Sequence, residues 1–250
     1  MNEWLDDFKT AVSFLTRLPM PHPEGAMPPN FVRAHRMFPI VGALIGAAVG
    51  LLCLGLRHIG VPDLAAAALA LGAAAMLTGA LHEDGLADVA DGFGGGRDVA
   101  AKLEIMRDSR LGTYGALILL VSFATKLSAL AAIPDGYVVQ SLIAAHALAR
   151  GVLPWMAISQ PYARTDGLAA NAGRPDAATA AMAAAFAFAI AWLSLSFVNA
   201  LLAAIMAAAG AIGMAWLAKR QIGGQTGDVL GGAEQVAETA ILVLLAARLA

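Results

Sequence analysis

The apolar residues of this 250-residue chain fall into long runs, and the polar ones gather between them. Crossing a bilayer as helix takes roughly 20 predominantly apolar residues, within a range of about 17–25. Six runs meet that requirement, at about 38–56, 63–81, 114–133, 137–158, 177–197 and 200–217. A seventh, 229–249, has an acidic first half carrying Glu234 and Glu238 and an apolar second half. Residues 3–18 follow another pattern. Trp4, Leu5, Phe8, Val12 and Leu15 recur at helical spacing among charges, as in an amphipathic helix lying on a membrane surface. These patterns predict an all-α fold: a polytopic integral membrane helical bundle of six to seven transmembrane helices plus an N-terminal amphipathic helix. No repeat or long linker interrupts it, so 1–250 reads as a single domain.

Composition agrees. The chain is 59% hydrophobic and 14% charged, against about 45–50% and about 25% in soluble domains. A net charge of −2 provides no basic field for nucleic acid. The single cysteine, Cys53, allows neither an intrachain disulfide nor a cysteine metal cage. The first residues, "MNEWLDDFKT", carry early acids and lack the layout of a signal peptide.

Basic residues mark the cytoplasmic loops of membrane proteins. With seven spans and the N-terminus inside, twelve of the sixteen Lys and Arg lie inside, and Arg57 and Arg248 lie outside. The other two, Lys126 and Arg150, fall within spans. The N-terminus and the polar motifs are therefore expected on the cytoplasmic side of the membrane. Residues 1–37 would form a cytoplasmic amphipathic N-terminal segment, and 82–113 a cytoplasmic catalytic loop.

Three motifs carry chemistry. The first, "HEDGLADVADGFGGG" at 82–96, holds Glu83, Asp84, Asp88 and Asp91. If the second span continues as helix past residue 81, Asp88 lies about 40° and Asp91 about −20° from Asp84 around the axis. The three aspartates then share a face, and Glu83 points elsewhere. Like charges so placed repel unless a cation sits among them. An oxygen-only donor set favours Mg²⁺ or Mn²⁺ over zinc. Gly92 and Gly94–Gly96 would end the helix and give a mobile rim. The plain alternative is a solvated helix whose acids end the span. His82 reads as an interfacial histidine.

The second motif, "KLEIMRDSRLGTYG" at 102–115, offers Lys102, Arg107 and Arg110 with the hydroxyls of Ser109 and Thr113, at a helix N-terminus open to an anion. Its alternative is a set of positive-inside anchors with Thr113 as N-cap. The third, "GGQTGDVLGGAEQVAE" at 223–238, opens the last helix with Thr226, Gly227 and Asp228 and continues to Glu234 and Glu238. Acids at that depth usually face a bundle interior or a wet cavity. The expectation is a second carboxylate group facing the first; an amphipathic surface helix is the alternative. Lys126 and Arg150 would neutralise these acids or bind substrate. Asp166 and Arg174 read as ordinary loop charges. Gly42, Gly46 and Gly50, spaced by four, read as a helix-packing stripe.

Carboxylates with a divalent cation, basic groups and hydroxyls at one membrane face make a phosphoryl-transfer set. No P-loop, HExxH or GxSxG occurs. Direct displacement on a diphosphate, without a covalent enzyme intermediate, is the expected chemistry.

"LTRLPMP" (15–21), "FPIVGALIG" (38–46), "HEDGLADVADGFGGG", "EIMRDSRLGTYG" (104–115) and "GGQTGDVLGG" (223–232), in this order, resemble the cobalamin synthase family, the adenosylcobinamide-GDP ribazoletransferases. The resemblance spans essentially the whole chain. It implies the last step of nucleotide-loop assembly. A ribose hydroxyl of α-ribazole, or of its 5′-phosphate, attacks adenosylcobinamide-GDP; GMP leaves and cobalamin or its 5′-phosphate forms, with Mg²⁺ required. The family's aspartate motif maps onto Asp84, Asp88 and Asp91, its "DSR" onto Asp108, Ser109 and Arg110, and its "TGD" onto Thr226, Gly227 and Asp228. The metal set is then Asp84, Asp88, Asp91 and Asp228, which also serve catalysis. Lys102, Arg107, Asp108, Ser109, Arg110, Thr113, Thr226, Gly227, Glu234 and Glu238 are the substrate and phosphate candidates. Expected partners are the two substrates and membrane lipid, with other nucleotide-loop enzymes as candidates; small-residue helix faces permit a homodimer.

Two rivals differ in residues. A CDP-alcohol phosphatidyltransferase would carry a "DG..AR" pattern, but Asp88 occupies the place of its arginine. An ion-coupled transporter predicts mid-span charges and related halves, whereas the clustered acids lie at span ends.

Overall fold

A computed structural model describes residues 3–21, 30–164 and 173–249. Among the described residues the chain is all-helical but for one isolated parallel bridge, Tyr162 to Gln225. The helices are α1 (Glu3–Leu15), α2 (Phe31–Ala34), a 3-10 turn (His35–Met37), α3 (Phe38–His58), α4 (Asp63–Thr78), α5 (Leu81–Gly95) and α6 (Val99–Ile105). They continue with α7 (Thr113–Ala132), α8 (Asp135–Gly151), α9 (Leu153–Ser159), α10 (Ala177–Ser194), α11 (Phe197–Ile222) and α12 (Gly227–Leu249). Six helical stretches are long and apolar enough to cross a bilayer, and α4 with α5 makes a seventh if the bent pair counts as one. The protein is a multi-pass membrane bundle, and the acidic start of the last run does not prevent α12 from forming over 23 residues.

The second span departs from expectation. It does not continue straight past residue 81, because Gly79 (φ 68°) and Ala80 (φ 55°) both adopt the left-handed conformation and α5 leaves α4 at 90°. The break is held from outside: Arg17 N–H donates to Leu77 C=O at 2.8 Å, and the Arg17 side chain lies where a Cβ on Gly79 would stand. The expected loop at 82–113 is consequently mostly helical, made of α5 and α6.

Small residues set the packing. A Cβ on Gly42 or Gly46 would strike the carbonyl oxygen of His146 or Leu142, and one on Gly50 would stand 2.8 Å from Val139 Cα. The glycine stripe therefore seats α3 directly on α8, giving the backbone proximity on which helix association in lipid depends. Toward the centre, Ile45, Val49, Leu142, Ile241, Leu242 and Leu245 form the core. On α10 and α11 the buried residues are mostly alanines at helical spacing, while Leu193, Ile205, Ile212 and Trp216 face outward. Large apolar side chains outside and small ones inside suit a lipid surround.

The bundle has two distinct ends. At one, Arg57 reaches Asp63 (3.4 Å), Asp135 (3.0 Å) and the carbonyls of Leu130 and Ile133, tying together the ends of α3, α4, α7 and α8. At the other lie α5, α6 and the N-termini of α7 and α12. The amphipathic α1 docks near this second end. Its Asp7 is buried between Arg33 (2.9 Å) and Arg36 (2.6 Å), and Arg36 covers the Trp4 ring at 3.8 Å.

Candidate active site

α5 crosses α12 at glycines. A Cβ on Gly85 would stand 2.8 Å from Asp228 C=O and 3.0 Å from its Cα. Without that side chain, the start of α12 fits against α5 between Asp84 and Asp88, one turn apart. Of the three aspartates expected on one face, Asp84 and Asp88 flank this crossing with Asp228, and Asp91 is turned to the start of α7. Asp88 is half-buried and is repelled by Asp84, Asp228 and Asp91, with Arg164 attracting it. Asp228 accepts from Arg164 Nη2 at 3.1 Å and from Thr226 Oγ1 at 3.1 Å, and Thr226 Oγ1 also accepts the Val229 N–H at 3.3 Å. Thr226 thus caps α12 and orients Asp228.

Asp91 has a different surrounding. Its Oδ2 accepts the Gly112 N–H and its Oδ1 the Gly115 N–H, both at 2.8 Å. It is buried, and its carboxylate lies where Cβ atoms on Gly112 and Gly115 would be. The α7 N-terminus expected to receive a phosphate is therefore capped by the protein's own carboxylate, which satisfies two amides and meets the positive end of the helix dipole. Gly112, not Thr113, is the N-cap residue, and Thr113 is exposed.

The glycines at 92–96 are not a mobile rim. α5 runs helically to Gly95, and a Cβ on Gly92 would meet Met106, and one on Gly94 the Tyr114 ring at 2.7 Å. They let α6 and α7 pack closely on α5. Lys102 Nζ donates to Gln221 Oε1 at 2.5 Å, and Arg107 and Ser109 are exposed. Arg110 forks onto Asp108, and this pairing with the backbone N–H of Arg110 holds the Asp108 carboxyl down at about 2. Glu83 lines a separate lateral cavity of about 530 Å³ with Leu71, Leu119, Phe123 and Lys126.

Glu234 and Glu238 do not face the aspartates as a second carboxylate group. They are buried in the bundle interior, about 9 and 15 Å along the helix from Asp228 at 1.5 Å per residue. Arg150 Nη1 lies 2.5 Å from Glu234 and 3.6 Å from Glu238, and Lys126 Nζ lies 3.2 Å from Glu238 and 2.7 Å from Gln235 Oε1. His146 Nδ1 stands 3.0 Å from Glu238, and His82 Nδ1 3.3 Å from Glu234. Two cations thus balance two carboxylates, as expected of Lys126 and Arg150. The donor atoms of His146, Glu234 and Glu238 fall within 4.8 Å of one another, the only such convergence among the described residues. Arg150 already fills it, since Nη1 is also 2.9 Å from His146 Nδ1. The oxygens of Asp84, Asp88 and Asp228 stand further apart, with Asp228 drawn to Arg164.

Arg164, Gln225, His82 and His146 were not legible as site or network residues. Gln225 is buried; its Nε2 donates to the carbonyls of Ala157 (2.8 Å) and Gln160 (3.2 Å). Its backbone pairs with Pro161 and Ala163, which brings Arg164 to Asp228. Arg174 is more than a loop charge, for it donates to Gln160 C=O at 2.8 Å and covers the Tyr162 ring. Asp166 lies outside the described residues.

With this geometry in hand, comparison with known proteins decides the family. Residues 7–246 match the model of the cobalamin-5-phosphate synthase family. The chain belongs to that family. Relatives named adenosylcobinamide-GDP ribazoletransferase include one from Bradyrhizobium diazoefficiens, 46% identical over 96% of this chain and 93% of its own length. One from Sinorhizobium medicae is 44% identical over 98% of each chain, and one from Rhizobium etli 42% identical over 100% of this chain and 99% of its own. No solved structure matches. The glycine-seated crossing of α5 and α12 thus belongs to a cobalamin-5-phosphate synthase family chain, in which "DGLAD" and "TGD" are the two segments in contact.

Proposed function

We propose that the protein is an adenosylcobinamide-GDP ribazoletransferase acting at the inner membrane of a bacterial cell, with the α5–α12 crossing as its active site on the cytoplasmic side. The observation that carries this is Asp228 seated on Gly85, which puts three carboxylates from two helices at one end of the bundle. The basic residues of the same end support its cytoplasmic placement.

Asp84, Asp88 and Asp228 are an oxygen-only donor set of the kind that suits Mg²⁺ or Mn²⁺. The buried Nη1 of Arg164, without a hydrogen-bond partner among the described residues, leaves a donor for an acceptor beside them. These residues would hold the cation, which when bound neutralises charge on diphosphate oxygens. Asp91 is reassigned from metal ligand to clamp of α7. Asp108, Ser109 and Arg110 lie on the segment leading to that clamped helix, where Arg110 presents a phosphate donor. Glu234 and Glu238 hold the helices beneath the site and do not touch substrate.

In the reaction a ribose hydroxyl of α-ribazole, or of its 5′-phosphate, attacks the phosphorus attached to cobinamide. The new ribose O–P bond forms as the bridging P–O bond to GMP breaks. An aspartate of the cluster takes the hydroxyl proton, and GMP carries away the bridging oxygen.

The test is GMP release by purified protein in nanodiscs given adenosylcobinamide-GDP, α-ribazole 5′-phosphate and Mg²⁺. Asp84→Ala, Asp88→Ala and Asp228→Ala should each abolish turnover in folded protein. Wild-type protein releasing no GMP would sink the activity, and a variant with full activity would leave the metal set.

A further inference from the structure

Arg164 stands at the aspartates with its guanidinium half engaged. Nη2 lies 3.1 Å from Asp228 Oδ2, while Nη1 is buried with no hydrogen-bond partner among the described residues. The placement is built into the fold. Gln225 N–H donates to Pro161 C=O at 2.9 Å, and Ala163 N–H donates to Gln225 C=O at 2.8 Å. The stretch that delivers Arg164 is thereby pinned to the stretch that starts α12, and the guanidinium and Asp228 share one register.

We propose that Arg164 is an exchangeable cation, pairing with Asp228 when no metal is bound and turning to the substrate diphosphate when a divalent cation takes Asp228. This rests on the metal-diphosphate reading of the cluster.

The argument is one of charge and donors. Asp84, Asp88 and Asp228 repel one another, and Arg164 is the positive group bonded to Asp228. A divalent cation bound to Asp228 would repel a guanidinium bonded to the same carboxylate. The displaced side chain cannot travel far, because the backbone behind it is held by the bridge. It carries a planar set of donors that matches phosphate, and its orphaned Nη1 has a bond to gain there. Two consequences follow. Metal alone binds against a competitor, since it must release Arg164. Metal with a diphosphate binds without that cost, since Arg164 acquires a new partner. Arg164 thus couples the two ligands.

Mn²⁺ serves as the metal probe, followed by electron paramagnetic resonance, and fluorescently labelled GDP as the diphosphate probe, with protein in nanodiscs. In Arg164→Gln, Mn²⁺ alone should bind up to about fivefold tighter, the effect of removing one part-exposed ion-pair competitor. GDP should bind about tenfold weaker at saturating Mn²⁺. Arg164→Lys keeps the charge without the planar fork, so it should leave Mn²⁺ affinity near wild type and still weaken GDP. A role confined to holding the fold would weaken both ligands together. Thermal unfolding of each variant checks the fold; if Arg164→Gln melts early, the Lys variant decides, and unchanged GDP affinity there overturns the proposal. Mn²⁺ affinity unchanged or lowered in folded Arg164→Gln also overturns it. If wild type binds no Mn²⁺, or Asp228→Asn leaves that binding intact, the metal reading itself fails. If Asp228→Asn abolishes binding and Arg164→Gln does not tighten it, the exchange alone fails.

Discussion

Replacing Asp91 with asparagine separates the clamp from the proposed metal site. Asp91 is buried, and its two oxygens each accept a backbone amide at 2.8 Å from Gly112 and Gly115. An asparagine side chain could accept from one amide only. Its NH₂ would meet the other donor to donor, and the negative charge at the α7 N-terminus would be gone. Hydrogen bonds to charged groups are worth about 1.5–3 kcal/mol each. A charge at a helix N-terminus adds about 0.3–1 kcal/mol, and up to about 2 when partly buried. Losing one bond and the charge should therefore cost about 2–5 kcal/mol. At about 2–4 °C per kcal/mol for a chain of this size, Tm should fall by roughly 4–20 °C. Asp84→Asn, at an exposed aspartate, should melt near wild type yet lose Mn²⁺ affinity. The assay is thermal unfolding in nanodiscs beside Mn²⁺ titration. The clamp assignment is falsified if Asp91→Asn melts within about 2 °C of wild type, half the smallest expected shift, and loses Mn²⁺ affinity as fully as Asp84→Asn.

The buried charges respond as a set: Arg150→Met, which strips the cation from Glu234 and Glu238, should cost about 3–5 kcal/mol. Adding Glu234→Gln should recover part of it, and a melting curve showing strictly additive losses would argue against the coupling. In the glycine stripe, Gly46→Ala drives a Cβ into the Leu142 carbonyl and should cost about 1–3 kcal/mol. Gly55→Ala, on the same helix with nothing within 4 Å, should be neutral or stabilising, and equal melting of the two would refute the close seat. Gly85→Ala pushes against the Asp228 backbone; folded protein with clearly weaker Mn²⁺ binding is expected, and unchanged binding would remove the crossing as the basis of the site.

Most of the helices were legible because lipid enforces length and apolar continuity, and no local feature competes over 38–58, 113–132 or 197–222. The glycine stripe was legible for the same reason, being a spacing within one helix. What escaped depends on distant partners. Ala80 has no sequence sign of a positive φ; its bend is stabilised by Arg17, far back along the chain. The Gly92–Gly96 run looks flexible in isolation, yet Met106 and Tyr114 fill the space its missing side chains leave. Glu234 and Glu238 announce a buried purpose by depth, but Arg150, Lys126 and His146, which satisfy them, come from α7 and α8. Arg164 reaches Asp228 only through the pairing of 161–163 with Gln225, and nothing in its neighbourhood distinguishes it from an ordinary loop arginine.

The break at Gly79–Ala80 explains why acids that end a span can form a site at all. A straight helix from Asp63 would carry Asp84 about 32 Å and Asp91 about 42 Å along its axis, at and beyond the edge of a hydrocarbon core about 30 Å thick. Those carboxylates would stand in water with nothing opposite them. The right-angle turn lays α5 across the end of the bundle instead. Gly85 then meets Asp228, Asp91 meets the start of α7, and His82 meets Glu234. One helix thereby touches the candidate metal site, the clamp and the buried charge network. Its axial position cannot shift by one residue without disturbing all three, because a rotation of α5 by about 100° would put a side chain where Gly85 must be. The bend, more than the aspartates themselves, is what turns an acidic helix end into a wall with a partner.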